Sequence, residues 1–106
     1  CAVRLSHAPG YVRLSRRALE QAAGRFRLSL RHLVLPGHID CCTAGVARTL
    51  QELLPDAPLM LLTQYTPFGA AMRDPVLGRH LADADRDKAL AVAGANKDLV
   101  ELWPID

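Results

Sequence analysis

The sequence predicts an α/β fold with two to three parallel strands and about three helices. Helix-like and strand-like apolar patterns alternate along the chain, and such alternation is typical of parallel sheets joined by right-handed crossovers. The strand segments are apolar runs rather than alternating ones, which predicts cover on both faces. A chain of 106 residues supports one modest core. Because so few strands and helices cannot close a parallel sheet, we expect an unpaired edge and a partial domain.

The first helix is predicted over residues 11–24, after the break at Pro9-Gly10 and before Gly24. Small and apolar side chains recur on one side of this segment at helical spacing. They are Val12, Ala18, Leu19, Ala22 and Ala23. The segment 28–35 then alternates at first, becomes continuously apolar and ends at Pro36-Gly37, so it is predicted to be a buried strand.

A second helix is predicted from Thr43, whose hydroxyl is suited to cap it, to the residue before Pro55. Its apolar stripe has the i, i+4, i+7, i+8 spacing of an amphipathic helix. The stripe consists of Val46, Leu50, Leu53 and Leu54. The apolar run 59–63, between two proline breaks, predicts an interior strand, and residues 64–80 form a long irregular connection.

The third helix is predicted from Asp83 as its cap to about Ala93, with Leu90 and Ala93 facing inward and Gly94 as terminator. A last short strand is predicted at Val100, Leu102 and Trp103.

Composition limits the function classes. Thirteen Lys and Arg against eleven Asp and Glu give a net charge of +2, too weak a field to indicate nucleic acid, and aromatic residues for base stacking are scarce. No apolar run approaches the roughly 20 residues that span a bilayer, and the start lacks a signal-peptide layout. Three cysteines, two of them adjacent, do not form a secreted disulfide framework. We therefore expect no nucleic acid, no membrane, reduced thiols and a cytoplasmic location.

The densest polar cluster follows the first predicted strand, at the end of the sheet where parallel α/β proteins bind ligands. It comprises Arg31, His32, His38, Asp40, Cys41, Cys42 and Thr43. His38-x-x-Cys41-Cys42 has the ligand types of a metal half-site. A structural zinc site needs four ligands and no second half is present, so we predict no metal site and interpret the cysteines as half-buried small hydrophobes.

Arg31 lies inside an apolar strand, where a charge requires a partner. A bidentate anion clamp and a structural ion pair both stay open. His32 alternates to the opposite face and is interpreted as a packed or capping residue. After the second strand, Gln64, Tyr65 and Thr66 could bind a small ligand, although satisfying the loop backbone is favoured.

Two sequence motifs are more specific than the alternation of helices and strands or the individual polar residues. They are RHLVLPGH at Arg31–His38, followed by Cys41-Cys42, and MLLTQYTP at Met60–Pro67. With them, nearly the whole chain resembles the C-terminal part of radical S-adenosylmethionine proteins of the pyruvate formate-lyase activating enzyme-like family. The resemblance implies that residues 1–106 are the C-terminal portion of a (β/α)6 partial barrel related to the TIM barrel, and the start without Met agrees with a piece of a longer protein.

That resemblance also implies a chemistry. Such a barrel holds a four-iron four-sulfur cluster and S-adenosylmethionine at the carboxyl ends of its strands, and reductive cleavage yields a 5′-deoxyadenosyl radical that abstracts hydrogen. The family's C-x-x-x-C-x-x-C motif is absent here, and Cys1, Cys41 and Cys42 cannot reproduce it. We therefore expect no cofactor bound by this chain alone and no activity without the N-terminal half of the barrel. A glycyl-radical enzyme is the implied protein substrate, and the open sheet edge also suits self-association.

By position, Arg31 matches the strand arginine that helps to bind S-adenosylmethionine, which favours the clamp. Leu33 to Pro36, with Leu35 among them, match the apolar strand end beside the adenine. Tyr65, which follows Gln64, stands where the activating enzymes carry a histidine near the cofactor. A different class of function is kept as the alternative: a small noncatalytic α/β binding or assembly module that pairs its open edge with another chain.

Overall fold

The computed structural model describes residues 5–100 and confirms the α/β prediction. In that range the chain forms three α-helices and a three-stranded parallel sheet. The helices are α1 (Tyr11–Ala22), α2 (Ala44–Leu53) and α3 (Asp83–Gly94), and the strands are β1 (Leu30–Leu33), β2 (Leu59–Leu62) and β3 (Leu99–Val100). A π-helical turn, Ile39–Thr43, precedes α2, and a 3₁₀ helix, Gly69–Arg73, lies in the long connection.

The sheet is built from two consecutive βαβ units. Its strand order is β1-β2-β3, with Leu30 opposite Leu59 and Leu59 opposite Leu99. Two further bonds extend the ladders: the Val34 N–H donates to the Leu62 carbonyl at 3.0 Å, and the Leu59 N–H donates to the Asp98 carbonyl at 2.9 Å. Among residues 5–100, β1 and β3 each keep one unpaired edge, so the sheet is open as expected.

The core lies on one face of this sheet. Leu30 and Val34 on that face, with Leu59 and Leu61, pack against buried side chains of both crossover helices. The helix contribution is Ala47 and Leu50 from α2 with Ala89 and Ala93 from α3. Because both helices cover the same face and the strand order never reverses, the arrangement is that of successive units of a β/α barrel, whereas a doubly wound sheet carries helices on both faces.

The opposite face of the sheet is uncovered, so the expectation of cover on both faces is wrong for residues 5–100. Leu33 and Val100 on this face are 43% and 41% exposed, and Arg31 beside them is also exposed. We call this surface the open face. Its apolar character explains why the strand segments have continuous apolar runs although helices shield only one side.

Several helix details differ from the expectations. The turn that leads into α2 begins at Ile39, and Thr43 has helical backbone angles with no capping bond from its side chain. Asp83 is the first residue of α3 rather than its cap: the N-cap is Ala82, whose side chain cannot accept a hydrogen bond. Leu90 is 37% exposed and Ala89 takes its place in the core beside Ala93.

Helix α1 is loosely attached. It has no buried residue, and Val12, which was expected to face inward, is 60% exposed. Of the predicted apolar side, only Leu19 and Ala23 pack against the core, and Ala23 lies just after the helix. The predicted last strand is formed at Leu99–Val100, and its continuation to Leu102 and Trp103 lies outside the described residues. No helix within residues 5–100 is both long and apolar enough to cross a bilayer.

Candidate functional site

The loop after β1 is shaped by a glycine turn and a π-helical turn. Gly37 has a φ of +75°, a conformation that favours glycine, and the His38 N–H closes the turn on the Leu35 carbonyl at 3.2 Å. The His38 carbonyl then accepts bonds from the N–H groups of both Cys42, at 3.0 Å, and Thr43, at 3.3 Å. Residues three and four positions apart lie on the same side of such a turn, and Cys41 and Cys42 are three and four positions after His38.

Three potential metal ligands meet on that side of the turn. The Cys41 Sγ lies 3.4 Å from the His38 Nδ1 and 3.6 Å from the Cys42 Sγ, and all three ligand atoms lie within 4.8 Å of one another. His38 is buried, Cys42 is partly buried and Cys41 is exposed. We call His38, Cys41 and Cys42 the His-Cys-Cys cluster. Burial raises the pKa of the Cys42 thiol, and its hydrogen bond with Cys41 raises it further, so Cys42 is protonated at neutral pH.

His32 ties the turn to the sheet. Its Nε2 lies 3.0 Å from the Thr43 Oγ1, on the core side of β1 and therefore opposite to Arg31. The hydroxyl that the sequence assigned to helix capping thus makes a tertiary contact instead. Burial lowers the pKa of His32, so its ring is neutral at neutral pH.

A cavity of about 440 Å³ runs along β1 and the loop that follows it. Arg31, Leu33 and Leu35 line it from the open face and the strand end, and the lining on the core side and the turn consists of His32, His38, Cys42 and Val46. Leu5, Ser6 and Tyr11 contribute from the start of the described chain. We call this space the β1 cavity. Its volume is within the range of about 300–1,000 Å³ that is usual for ligand pockets.

The structure brings two of the five predicted cofactor-binding residues into this cavity. They are Arg31 and Leu35. Arg31 forms no ion pair with any residue of 5–100, so the structural salt bridge that the sequence left open is not formed there. Pro36 is fully buried and does not line the cavity.

Gln64 and Tyr65 lie elsewhere. Gln64 is exposed, and the Tyr65 hydroxyl donates to the Leu77 carbonyl at 2.7 Å. The Tyr65 carbonyl in turn lies 3.1 Å from the His80 Nδ1. Tyr65 therefore links the two ends of the connection 64–80, a role in loop structure rather than in the β1 cavity.

Sequence reasoning named the residues of the His-Cys-Cys cluster but not their convergence. The sequence predicts no helix or strand over residues 38–42, so the spacing His38-x-x-Cys41-Cys42 implies no defined geometry. The spacing i, i+3, i+4 is the signal that could have found it, because these positions share one side of a helix.

Comparisons with known proteins add one relative. No family model and no solved structure matches the chain. An uncharacterized protein of the archaeon Methanocaldococcus jannaschii is 36% identical over 72 residues, which are 67% of this chain and 21% of that protein. The chain thus spans about a fifth of the length of the relative that it matches. Fold and site together define a partial parallel β/α protein with a ligand-sized cavity beside its first strand.

Proposed function

We propose that this chain is the C-terminal, cofactor-binding portion of a radical S-adenosylmethionine enzyme of the pyruvate formate-lyase activating enzyme-like type. The observation that supports this most is the open face beside the β1 cavity. In a β/α barrel, the helices lie outside and the uncovered sheet face lines the interior, while ligands bind near the carboxyl ends of the strands. Arg31, Leu33 and Leu35 lie on or next to that face and line the cavity.

The side chains of the cavity suit the two ends of S-adenosylmethionine. The Arg31 guanidinium, without an ion-pair partner in the described range, is suited to hold the carboxylate of the methionine moiety through two parallel hydrogen bonds. Leu33 and Leu35 offer apolar contact to the adenine ring. Pro36 is fully buried and restricts the backbone of Leu35, the residue that precedes it. When bound and reduced by one electron, this cofactor would supply a 5′-deoxyadenosyl radical for hydrogen abstraction.

Gln64 and Tyr65 contribute differently in this proposal. Both follow β2, which is parallel to β1, so they leave the sheet at the same end as the β1 loop. The Gln64 amide is exposed and does not line the β1 cavity. Tyr65 acts by ordering the connection through its bond to Leu77.

An iron–sulfur cluster does not fit the described residues of this chain. Such a cluster requires three cysteine thiolates from the protein in this class, and Cys41 and Cys42 are the only cysteines within residues 5–100. Its ligands are therefore assigned to the N-terminal half of the barrel. The proposed protein substrate is a glycyl-radical enzyme, and the proposed compartment is the cytoplasm, where thiols stay reduced.

A noncatalytic assembly module is the second candidate. The unpaired edges of β1 and β3 and the exposed apolar side chains of the open face favour it, because such edges and faces pair with other chains. The two candidates differ in whether the assembled protein binds S-adenosylmethionine.

The test measures S-adenosylmethionine binding by calorimetry on the chain assembled with an N-terminal half that carries the cysteine triad. We expect Arg31→Ala to weaken binding about 10- to 100-fold, the loss of charge-assisted hydrogen bonds. Arg48→Ala, which removes an exposed arginine of α2 outside the cavity lining, is the matched control and should leave affinity unchanged. Equal affinities of Arg31→Ala and wild type for S-adenosylmethionine would contradict the proposed role of Arg31 in holding the carboxylate. A folded assembly that binds no S-adenosylmethionine would favour the assembly module.

A further inference from the structure

The His-Cys-Cys cluster has the donor set of a zinc site. One imidazole nitrogen and two thiol sulfurs are ligands that Zn²⁺ binds in both structural and catalytic sites. The three donors come from a single helical turn, so their approach needs no long-range loop closure. His38, the donor on the N-terminal side, is buried, which restricts its rotamers.

The spacing of the donor atoms agrees with tetrahedral coordination. Zinc bonds of about 2.3 Å to sulfur and about 2.0–2.1 Å to nitrogen place two sulfurs about 3.8 Å apart and a sulfur and a nitrogen about 3.6 Å apart. The Cys41–Cys42 sulfur separation is 3.6 Å, and the Cys41 Sγ to His38 Nδ1 separation is 3.4 Å. The third separation, between His38 and Cys42, is at most 4.8 Å, so it needs to shorten by about 1.2 Å at most.

The backbone of the turn is held in place from two sides. The His32–Thr43 contact joins its C-terminal end to β1, and a salt bridge of 2.8 Å from Lys88 to Asp40 joins it to α3. The salt bridge is exposed and contributes little stability by itself. Together with the Gly37 turn, however, these contacts hold the backbone that carries the three donors, which lowers the entropic cost of binding.

We propose that His38, Cys41 and Cys42 bind one Zn²⁺ ion through Nδ1 and two Sγ atoms. Each thiol releases its proton to solvent on binding, so two thiolates and a neutral imidazole neutralise the ion. The fourth coordination position is taken by water. Because His38 and Cys42 also line the β1 cavity, that water lies within reach of a ligand bound there. Three protein ligands with one open position are the pattern of catalytic rather than structural zinc.

This site does not depend on the proposed radical reaction. Zinc has no redox chemistry, and the iron–sulfur cluster was assigned to residues outside this chain. The zinc site can therefore be present whether or not the assembled barrel cleaves S-adenosylmethionine, and the two proposals fail separately.

The test titrates the full 106-residue chain, reduced under anaerobic conditions, with Co²⁺ and then displaces Co²⁺ with Zn²⁺. We expect one Co²⁺ per chain, with thiolate-to-cobalt charge-transfer absorption and the intense visible bands of tetrahedral cobalt. X-ray absorption at the zinc edge should then show two sulfurs at about 2.3 Å and one imidazole nitrogen at about 2.0 Å.

Variants assign the ligands. Cys41→Ser and Cys42→Ser should each weaken zinc binding about 100-fold, as expected for the loss of one of few ligands. Cys41 is the cleaner position because it is exposed and its substitution leaves the core intact. His7→Asn is the matched control, because His7 is an exposed histidine outside the cluster. Its φ is 56°, a conformation that Asn tolerates. The zinc affinity of this variant should equal that of wild type. Circular dichroism verifies that each variant keeps its helix content.

Three results would overturn the proposal. The first is a reduced, folded chain that shows no tetrahedral thiolate–cobalt spectrum. The second is zinc affinity that survives both cysteine substitutions. The third is equal affinity in the urea-unfolded chain, which would mean that the turn contributes nothing to the site.

Discussion

The Gly37 turn, which directs His38 toward the cluster, provides the sharpest test of the local structure. Gly37 has a φ of +75°, and a Cβ placed on it would lie 2.6 Å from the Val76 Cγ1. Substitution by alanine costs about 1–2 kcal/mol for the left-handed conformation. Ordinary carbon contacts are about 3.5–4.0 Å, so the added methyl overlaps Val76 by about 1 Å, and overpacking of this kind costs about 1–3 kcal/mol. The expected total for Gly37→Ala is about 2–5 kcal/mol.

A double-mutant cycle separates these two costs. Val76→Ala removes the clashing Cγ1, while its Cβ, 3.9 Å from the added atom, remains at a normal distance. In this background Gly37→Ala should cost only the backbone part, about 1–2 kcal/mol, in urea unfolding followed by circular dichroism. An equal cost in both backgrounds would refute the contact with Val76. A neutral Gly37→Ala would refute the turn itself.

Two further predictions concern the contacts around the site. Burial lowers the pKa of His32, so near its ordinary value of about 6.5 the unfolded chain binds more protons than the folded one. Stability should therefore be highest above about pH 6.5, fall as the pH drops from there toward the lower, folded-state pKa, and level off below that pKa. His32→Gln should reduce this loss in urea unfolding measured across that range, and an unchanged acid slope would contradict the assignment. Tyr65→Phe should cost about 1 kcal/mol because the Leu77 carbonyl loses its donor; a variant with the urea midpoint of wild type would show that the bond does not hold the connection.

Much of the fold could be predicted from the sequence because its apolar runs are short and bounded by proline. The runs that end at Pro36 and begin after Pro58 became β1 and β2, and the helical stripe between them became α2. Cover on both faces could not be inferred, since an apolar strand has the same pattern whether a helix or another part of a barrel faces it. The open face is therefore a finding of the structure.

Helix α3 shows why small residues are difficult to place from sequence. A hydrophobicity pattern assigns Leu90 to the core, yet Leu90 is 37% exposed and Ala89 is fully buried. Ala89 and Ala93 lie one turn apart and allow the helix backbone to approach the sheet and α2 closely. Close approach requires small side chains, and a pattern that weighs only hydrophobicity does not detect that requirement.

Of the five residues that the sequence predicts at a ligand site, two line the β1 cavity, and the geometry of that cavity is not predicted. Arg31 and Leu35 were expected near a ligand, and the structure places both in one cavity. The turn around His38 was not foreseen because Thr43 has the residue type of a helix cap, whereas its hydroxyl contacts His32 and the helical backbone begins at Ile39. The Thr43 hydroxyl thus contacts a distant residue, His32, in place of the helix backbone. The residues next to Thr43 do not indicate which of these two contacts forms.

The most direct test of the proposed function is formation of 5′-deoxyadenosine. The chain is assembled with an N-terminal half that carries the cysteine triad, iron and sulfide are added anaerobically, and a reductant and S-adenosylmethionine follow. We predict the broad absorption of an iron–sulfur cluster together with 5′-deoxyadenosine, and a lower yield of the nucleoside for Arg31→Ala than for Arg48→Ala. A folded assembly with an intact cluster that produces no 5′-deoxyadenosine would contradict the proposal.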